Sequence, residues 1–171
     1  MDNRLLQLKL TAVQNGDMQA FAAIYEAMQT PLYTVILRIV CDQTTAEDVL
    51  QELFVKLHRA PPSHAKNPRA YIFQMARHLA IDSLRTRKPA ADVTGEELSH
   101  SPIDSVAEQL DIAAAMQALP AIDGQIVSLH IDGALKFREI AAMLAMPLGT
   151  VLWKYNTALK RLRVILQGGA R

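Results

Sequence analysis

The chain has 171 residues, half of them hydrophobic and 20% charged, with a formal net charge of +1. That composition supports packed cores and excludes a disordered chain. A lone Cys41 excludes an intramolecular disulfide framework, and with five scattered histidines it makes no zinc-ligand spacing.

No run approaches the ~18 consecutive apolar residues of a membrane span. The start, MDNRLLQLKLTAVQNGD, lacks the apolar core and small-residue cleavage site of a signal peptide. The expectation is a cytoplasmic protein without membrane insertion. Catalysis finds no support: there is no Gly-rich phosphate loop with its Lys, no carboxylates at a defined spacing and no His-Glu-x-x-His. The reading is a non-enzyme without cofactor or metal.

In chain order, Phe21, Ile24, Tyr25 and Met28 recur at i, i+3, i+4 and i+7, which predicts a helix over 17–29 capped by Asp17. Pro31 opens a second helix, about 31–41, and Cys41 within VILRIVC reads as a small buried hydrophobe. Thr44 or Thr45 caps a third helix, AEDVLQELFVKLHR, with Glu47 and Asp48 in its first turn. Its apolar face (Val49, Leu50, Leu53, Leu57) leaves Asp48, Gln51, Glu52 and Val55 pointing outward. APPSHAKN is a loop by its prolines, and Pro68 begins a fourth helix that runs to about Lys88.

On that fourth helix Ile72, Met75, Ala76, Leu79 and Ser83 share the packing face, while Gln74, Arg77, His78, Ile81, Arg85 and Lys88 lie opposite, with Asp82 at the margin. Residues 89–106, PAADVTGEELSHSPIDSV, lose the periodicity and read as a flexible linker. Helices follow at about 107–118, 122–131, 136–145 and 149–166. No strand or internal repeat is evident. The expected fold is all-α, with two small helical domains: 1–88, linker 89–106, and 107–171 containing a helix-turn-helix. Domains that small are marginal alone and gain from docking on a partner.

The near-neutral total hides a sorting of charge. Residues 61–90 hold six basic side chains against one acidic, residues 91–111 hold six acidic and no basic, and residues 112–171 hold seven basic against three acidic. Two basic segments separated by an acidic one point to polyanion contacts at two places.

The last two helices meet at Met-Pro-Leu-Gly. Val151, Leu152, Tyr155, Leu159, Leu162 and Leu166 form an apolar face of the final helix, matched by Ile140, Ala141 and Leu144 before the turn. Opposite lie Trp153, Asn156, Thr157 and Lys160, flanked by Lys154, Arg161 and Arg163, with Thr150 at the N-terminal edge. A packed helical hairpin predicts no particular charge on its outward face. Here that face has four basic residues and no acid, which favours a helix that enters the DNA major groove by its N-terminal half. Lys160 and Arg161 lie farther along and suit phosphates, whereas Thr150, Trp153 and Asn156 lie within reach of base edges.

With these residues assembled, the sequence resembles the extracytoplasmic-function sigma factors of bacterial RNA polymerase. AEDVLQELFVKLH is similar to the family's polymerase-clamp helix. NPRAYIFQMARHLAIDSLRTRK is similar to its minus-ten helix, and LPAIDGQIVSLHIDGALKFREIAAMLAMPLGTVLWKYNTALKRLR to its minus-thirty-five module. The resemblance implies that Asp48, Gln51, Glu52 and Val55 bind core RNA polymerase. It implies that Arg77, His78, Asp82, Arg85, Arg87 and Lys88, with loop 61–67, hold the melted minus-ten strand. It assigns Thr150, Trp153, Lys154, Asn156, Thr157, Lys160 and Arg161 to the minus-thirty-five duplex.

The chain departs from the family at His78, where Asn is common, at Lys136, where a Ser often caps the helix, and at Ala145, often Gly. Trp153 either meets a thymine methyl or sugar, or covers neighbouring apolar surface. The implied function is a sigma factor directing promoter-specific initiation, with core polymerase, promoter DNA and an anti-sigma protein as partners. The alternative is a helix-turn-helix regulator that does not bind core polymerase. A third reading is an interaction protein that binds polymerase but not DNA.

Overall fold

The computed structural model describes residues 1–86, 112 and 114–168. The expected linker 89–106, together with Arg87 and Lys88, lies outside the described residues. Among those described there are seven α-helices and no strand: α1 (Asn3–Gln14), α2 (Met18–Val40), α3 (Gln43–Arg59), α4 (Pro68–Thr86), α5 (Ala121–Ile131), α6 (Phe137–Met143) and α7 (Leu148–Gly168). A helical turn over 114–117 precedes α5.

Helix α1 has no counterpart in the sequence reading. Asp2 caps it by accepting from the Leu5 amide at 2.8 Å, and Leu6, Leu10 and Val13 bury one stripe. Asp17 caps α2 as expected, accepting from the amides of Gln19 and Ala20. The expected break at Pro31 does not occur, since α2 runs through it as one helix. Proline removes one backbone hydrogen bond and crowds the preceding turn. The cost is offset because Ile24, Met28, Leu32, Val35 and Ile36 form one buried stripe on both sides of it. Truncating one such side chain to Ala typically costs about 2–5 kcal/mol.

Helix α2 ends at Cys41, which adopts the left-handed conformation at φ 54° and donates its amide to the Leu37 carbonyl. The thiol is exposed, not buried, because the residue lies at the helix end beyond the packing stripe. The cap of α3 is Asp42, which accepts from the Thr45 amide at 2.9 Å and from the Thr45 hydroxyl. Helix α3 therefore starts at Gln43, and Glu47 and Asp48 fall past its first turn. Thr45 is not the cap but its buried partner.

Helix α2 packs against α1, α3, α4 and α5, while α5 and α6 pack against α7. Phe73 and Ala80 join Ile72 and Ala76 in the buried face of α4, and Phe54 joins that of α3. The main core is continuous from Leu6 and Leu10 through α2, α3 and α4 to Ile126, Leu129, Ile140 and Val151.

Polar contacts reinforce this junction. Arg69, at the start of α4, donates from Nε to the Gly133 carbonyl and from Nη1 to the Met1 carbonyl. Asn67 caps α4 through the Ala70 amide and donates its Nδ2 to Glu139 of α6. On the other side, a Cβ added at Gly124 of α5 would lie 3.3 Å from Arg38 Cδ, so the glycine leaves room for the α2 arginine.

The packing face of α7 differs from the expected one. Val151, Tyr155, Ala158 and Leu162 turn inward, with Val151 and Ala158 fully buried, whereas Leu152, Leu159 and Leu166 are exposed. The small Ala158 admits close approach by Leu119 and Val127. Helix α7 is consequently rotated toward the 151–155–158–162 line.

Candidate nucleic-acid interface

Three exposed helix faces result. On α3, Asp48, Gln51, Glu52 and Val55 are all exposed and lie at i, i+3, i+4 and i+7. Their outward direction follows from burial of Val49, Leu53, Phe54 and Leu57 on the opposite side. Glu52 pairs with Lys56 at 3.3 Å, both about half exposed, so the contact contributes little to stability. Phe54 is flanked by Phe21 and Tyr25 of α2, which hold that helix pair together beside the exposed face.

On α4, Gln74, His78, Asp82 and Arg85 are exposed, while Arg77 and Ile81 are half-buried. Arg85 pairs with Asp82 at 3.6 Å in open solvent, so both side chains can rearrange at little cost. Arg77 Nε is buried without a hydrogen-bond partner. Loop 61–67 is tied down by the Ser63 hydroxyl, which donates to Gln14 of α1, while His64 and Lys66 stay exposed.

Helix α7 enters from a tight turn. Ala145 takes the left-handed conformation at φ 51° without being glycine, and the Met146 amide returns to the Ala141 carbonyl. The Lys136 amide donates to Glu139 at 2.8 Å, so α6 starts with the Glu side of a capping box and needs no Ser.

Trp153 is 63% exposed, and Asn156, Lys160 and Arg161 are exposed beside it. Packing of the Trp153 ring into a core is thereby excluded; Thr150 and Thr157 are half-buried at the edges of the same face. Lys154 is turned inward, with its ammonium 2.9 Å from Asp123 of α5 and 5.8 Å from the centre of the Trp153 ring. Asp123 carries no motif in the sequence. Thirty-one residues separate it from Lys154, so only the packing of α5 on α7 reveals it.

Burial holds the guanidinium groups of Arg38 and Arg69 below the ordinary arginine range. It pushes the Asp132 carboxyl up, against the opposing pull of Ser128 and Arg38. These groups lie at the junction of the two halves, away from the exposed faces of α3 and α7.

Residues 24–89 match the Sigma-70 region 2 family. The chain is 26% identical to the extracytoplasmic-function RNA polymerase sigma factor SigW of Bacillus subtilis (strain 168), with 93% of this chain and 95% of that protein covered. It is 22% identical to the corresponding factor SigK of Mycobacterium sp. (strain JLS), covering 92% and 89% respectively. The fold is similar to that of CnrH, solved in complex with the cytosolic domain of CnrY, with a TM-score of 0.66 at 18% identity over 96% of this chain and 98% of that one. Among the described residues no helix is long and apolar enough to cross a membrane.

Proposed function

The chain belongs to the extracytoplasmic-function sigma factors, and from that premise we propose that it directs core RNA polymerase to specific promoters. The observation that carries this reading is the display, on one chain, of an acidic-polar face on α3 and a cationic face on α7 with no acid in that helix. Asp48, Gln51, Glu52 and Val55 are proposed to dock on the polymerase clamp. Arg77, His78, Asp82 and Arg85, with Arg87, Lys88 and loop 61–67, would hold the opened minus-ten strand. There the bases stack and the phosphates meet cations.

Thr150, Trp153, Asn156, Thr157, Lys160 and Arg161 would read and grip the minus-thirty-five duplex, with Lys154 behind them. The proposed division is 1–88 for polymerase and minus-ten contacts, 89–106 as connection and 107–171 for the minus-thirty-five element. Two weak modules on one scaffold gain affinity through effective concentration. The chain would perform no chemistry itself and would act in the cytoplasm, where polymerase and promoter reside. An anti-sigma protein is the proposed negative partner, as the CnrH complex has a partner protein of its own. Run-off transcription with core polymerase on a promoter template tests the reading. A transcript that starts at one site only when the chain is present supports it, and failure to retain core polymerase in a pull-down refutes it.

A further inference from the structure

The recognition helix α7 carries Lys154, Lys160, Arg161 and Arg163, and the structure treats them differently. Lys160, Arg161 and Arg163 are exposed. Lys154 is the one nearest the N-terminal half, where bases come within reach, and its side chain is only 22% exposed. Its ammonium donates at 2.9 Å to Oδ1 of Asp123, whose side chain is 5% exposed in the first turn of α5. The second carboxylate oxygen lies 3.8 Å from Arg161, which stays 53% exposed.

We propose that Asp123 is a positioning residue that withholds Lys154 from the DNA backbone and thereby raises the ratio of specific to non-specific binding by α7. The proposal rests on the reading of α7 as the minus-thirty-five helix and deepens it. A lysine free at this position would meet phosphate on every DNA sequence, adding to the sequence-independent part of the affinity. What a promoter-reading protein needs is the specificity ratio, not the affinity alone. Of the two cations beside Asp123, Lys154 is the closer and the more buried, and its departure would leave the buried carboxylate with only the longer contact to the half-exposed Arg161, so Lys154 does not leave for a solvated phosphate. The retained ammonium also lies 5.8 Å from the Trp153 ring centre, which biases the orientation of that exposed ring. Asp123 itself suits its place because an acid in a first turn complements the helix dipole.

The test uses the full chain and two duplexes of equal length, one a promoter on which it directs transcription and one scrambled, titrated over a range of salt concentrations. Asp123→Asn should bind the scrambled duplex more tightly, lower the promoter preference and steepen the log–log salt slope by about 0.9, the increment of one added phosphate contact. Adding Lys154→Gln to that variant should return the slope to the wild-type value. Lys154→Gln alone should leave the slope unchanged, whereas Lys160→Ala should flatten it by about 0.9.

A slope that flattens with Lys154→Gln alone shows that Lys154 already grips phosphate and overturns the proposal. So does an Asp123→Asn variant that binds both duplexes more weakly with no steeper slope. If either single variant does not fold, as judged by circular dichroism, the double variant, which leaves no buried charge behind, decides: a slope equal to wild type supports the proposal, and one flatter by about 0.9 overturns it. Loss of the α7 reading itself has a different signature: wild type binds both duplexes equally, and Lys160→Ala changes nothing.

Discussion

Replacement of Arg69 by Met tests whether the two halves of the chain are one cooperative unit. The guanidinium donates to the carbonyls of Gly133 and Met1 and lies 5.7 Å from the centre of the Phe73 ring. Charge-assisted bonds of this kind contribute about 1.5–3 kcal/mol each, and the ring contact contributes about 0.5–1 kcal/mol at a partly exposed site. Against this stands the cost of half-burying the guanidinium, which is also what holds its pKa below the usual range. The Met side chain keeps the apolar stem, so the net loss should be about 2–3 kcal/mol. For a chain of this size each kcal/mol moves the midpoint by about 2–4 °C, which gives roughly 4–12 °C. Arg69→Lys, with charge but no fork, should fall between the two. Thermal and urea unfolding followed by far-ultraviolet circular dichroism measure it. A loss below about 0.5 kcal/mol, the range of an ordinary surface substitution, would refute the assigned contacts. Two separate wild-type transitions would refute the cooperative reading of the continuous core.

Asp48→Arg combined with Glu52→Arg should abolish retention of core polymerase in a pull-down while leaving the helical signal intact, since both side chains are exposed. Trp153→Ala should cost less than about 1 kcal/mol of stability, being a surface change, yet change the base preference measured on minus-thirty-five variants. Equal loss on every sequence would remove its base-reading role. For Asp132 the folded carboxyl is shifted up by burial, so in the window between its ordinary and raised values the folded state holds more protons than the unfolded state. Its contribution to stability is therefore present at low pH and lost as pH rises through the raised value. Asp132→Asn should flatten that segment of the stability profile, and an unchanged profile in urea titrations across mildly acidic pH would refute the assignment.

Much of the local structure was legible from single helices. Asp17 announces the start of α2 because a carboxylate there accepts otherwise unpaired amides. The outward set Asp48, Gln51, Glu52 and Val55 follows from the i, i+3, i+4 spacing of the apolar residues opposite. That two helices, α6 and α7, flank the Met-Pro-Leu-Gly segment could likewise be read from its proline and glycine. The all-α class and the family resemblance rest on these same short-range patterns.

Neighbours decided the rest. Pro31 breaks a helix in isolation but not one whose buried stripe continues on both sides of it. Leu152, Leu159 and Leu166 look like a core face by hydropathy alone, yet the small Ala158 draws α7 toward Leu119 and Val127 and leaves those leucines exposed. The same rotation carries Lys154 to Asp123, two residues that no spacing rule connects. Periodicity reports which residues of one helix share a face; which face meets a neighbour, and which charge finds a buried partner, depends on shape and desolvation between segments far apart in the chain.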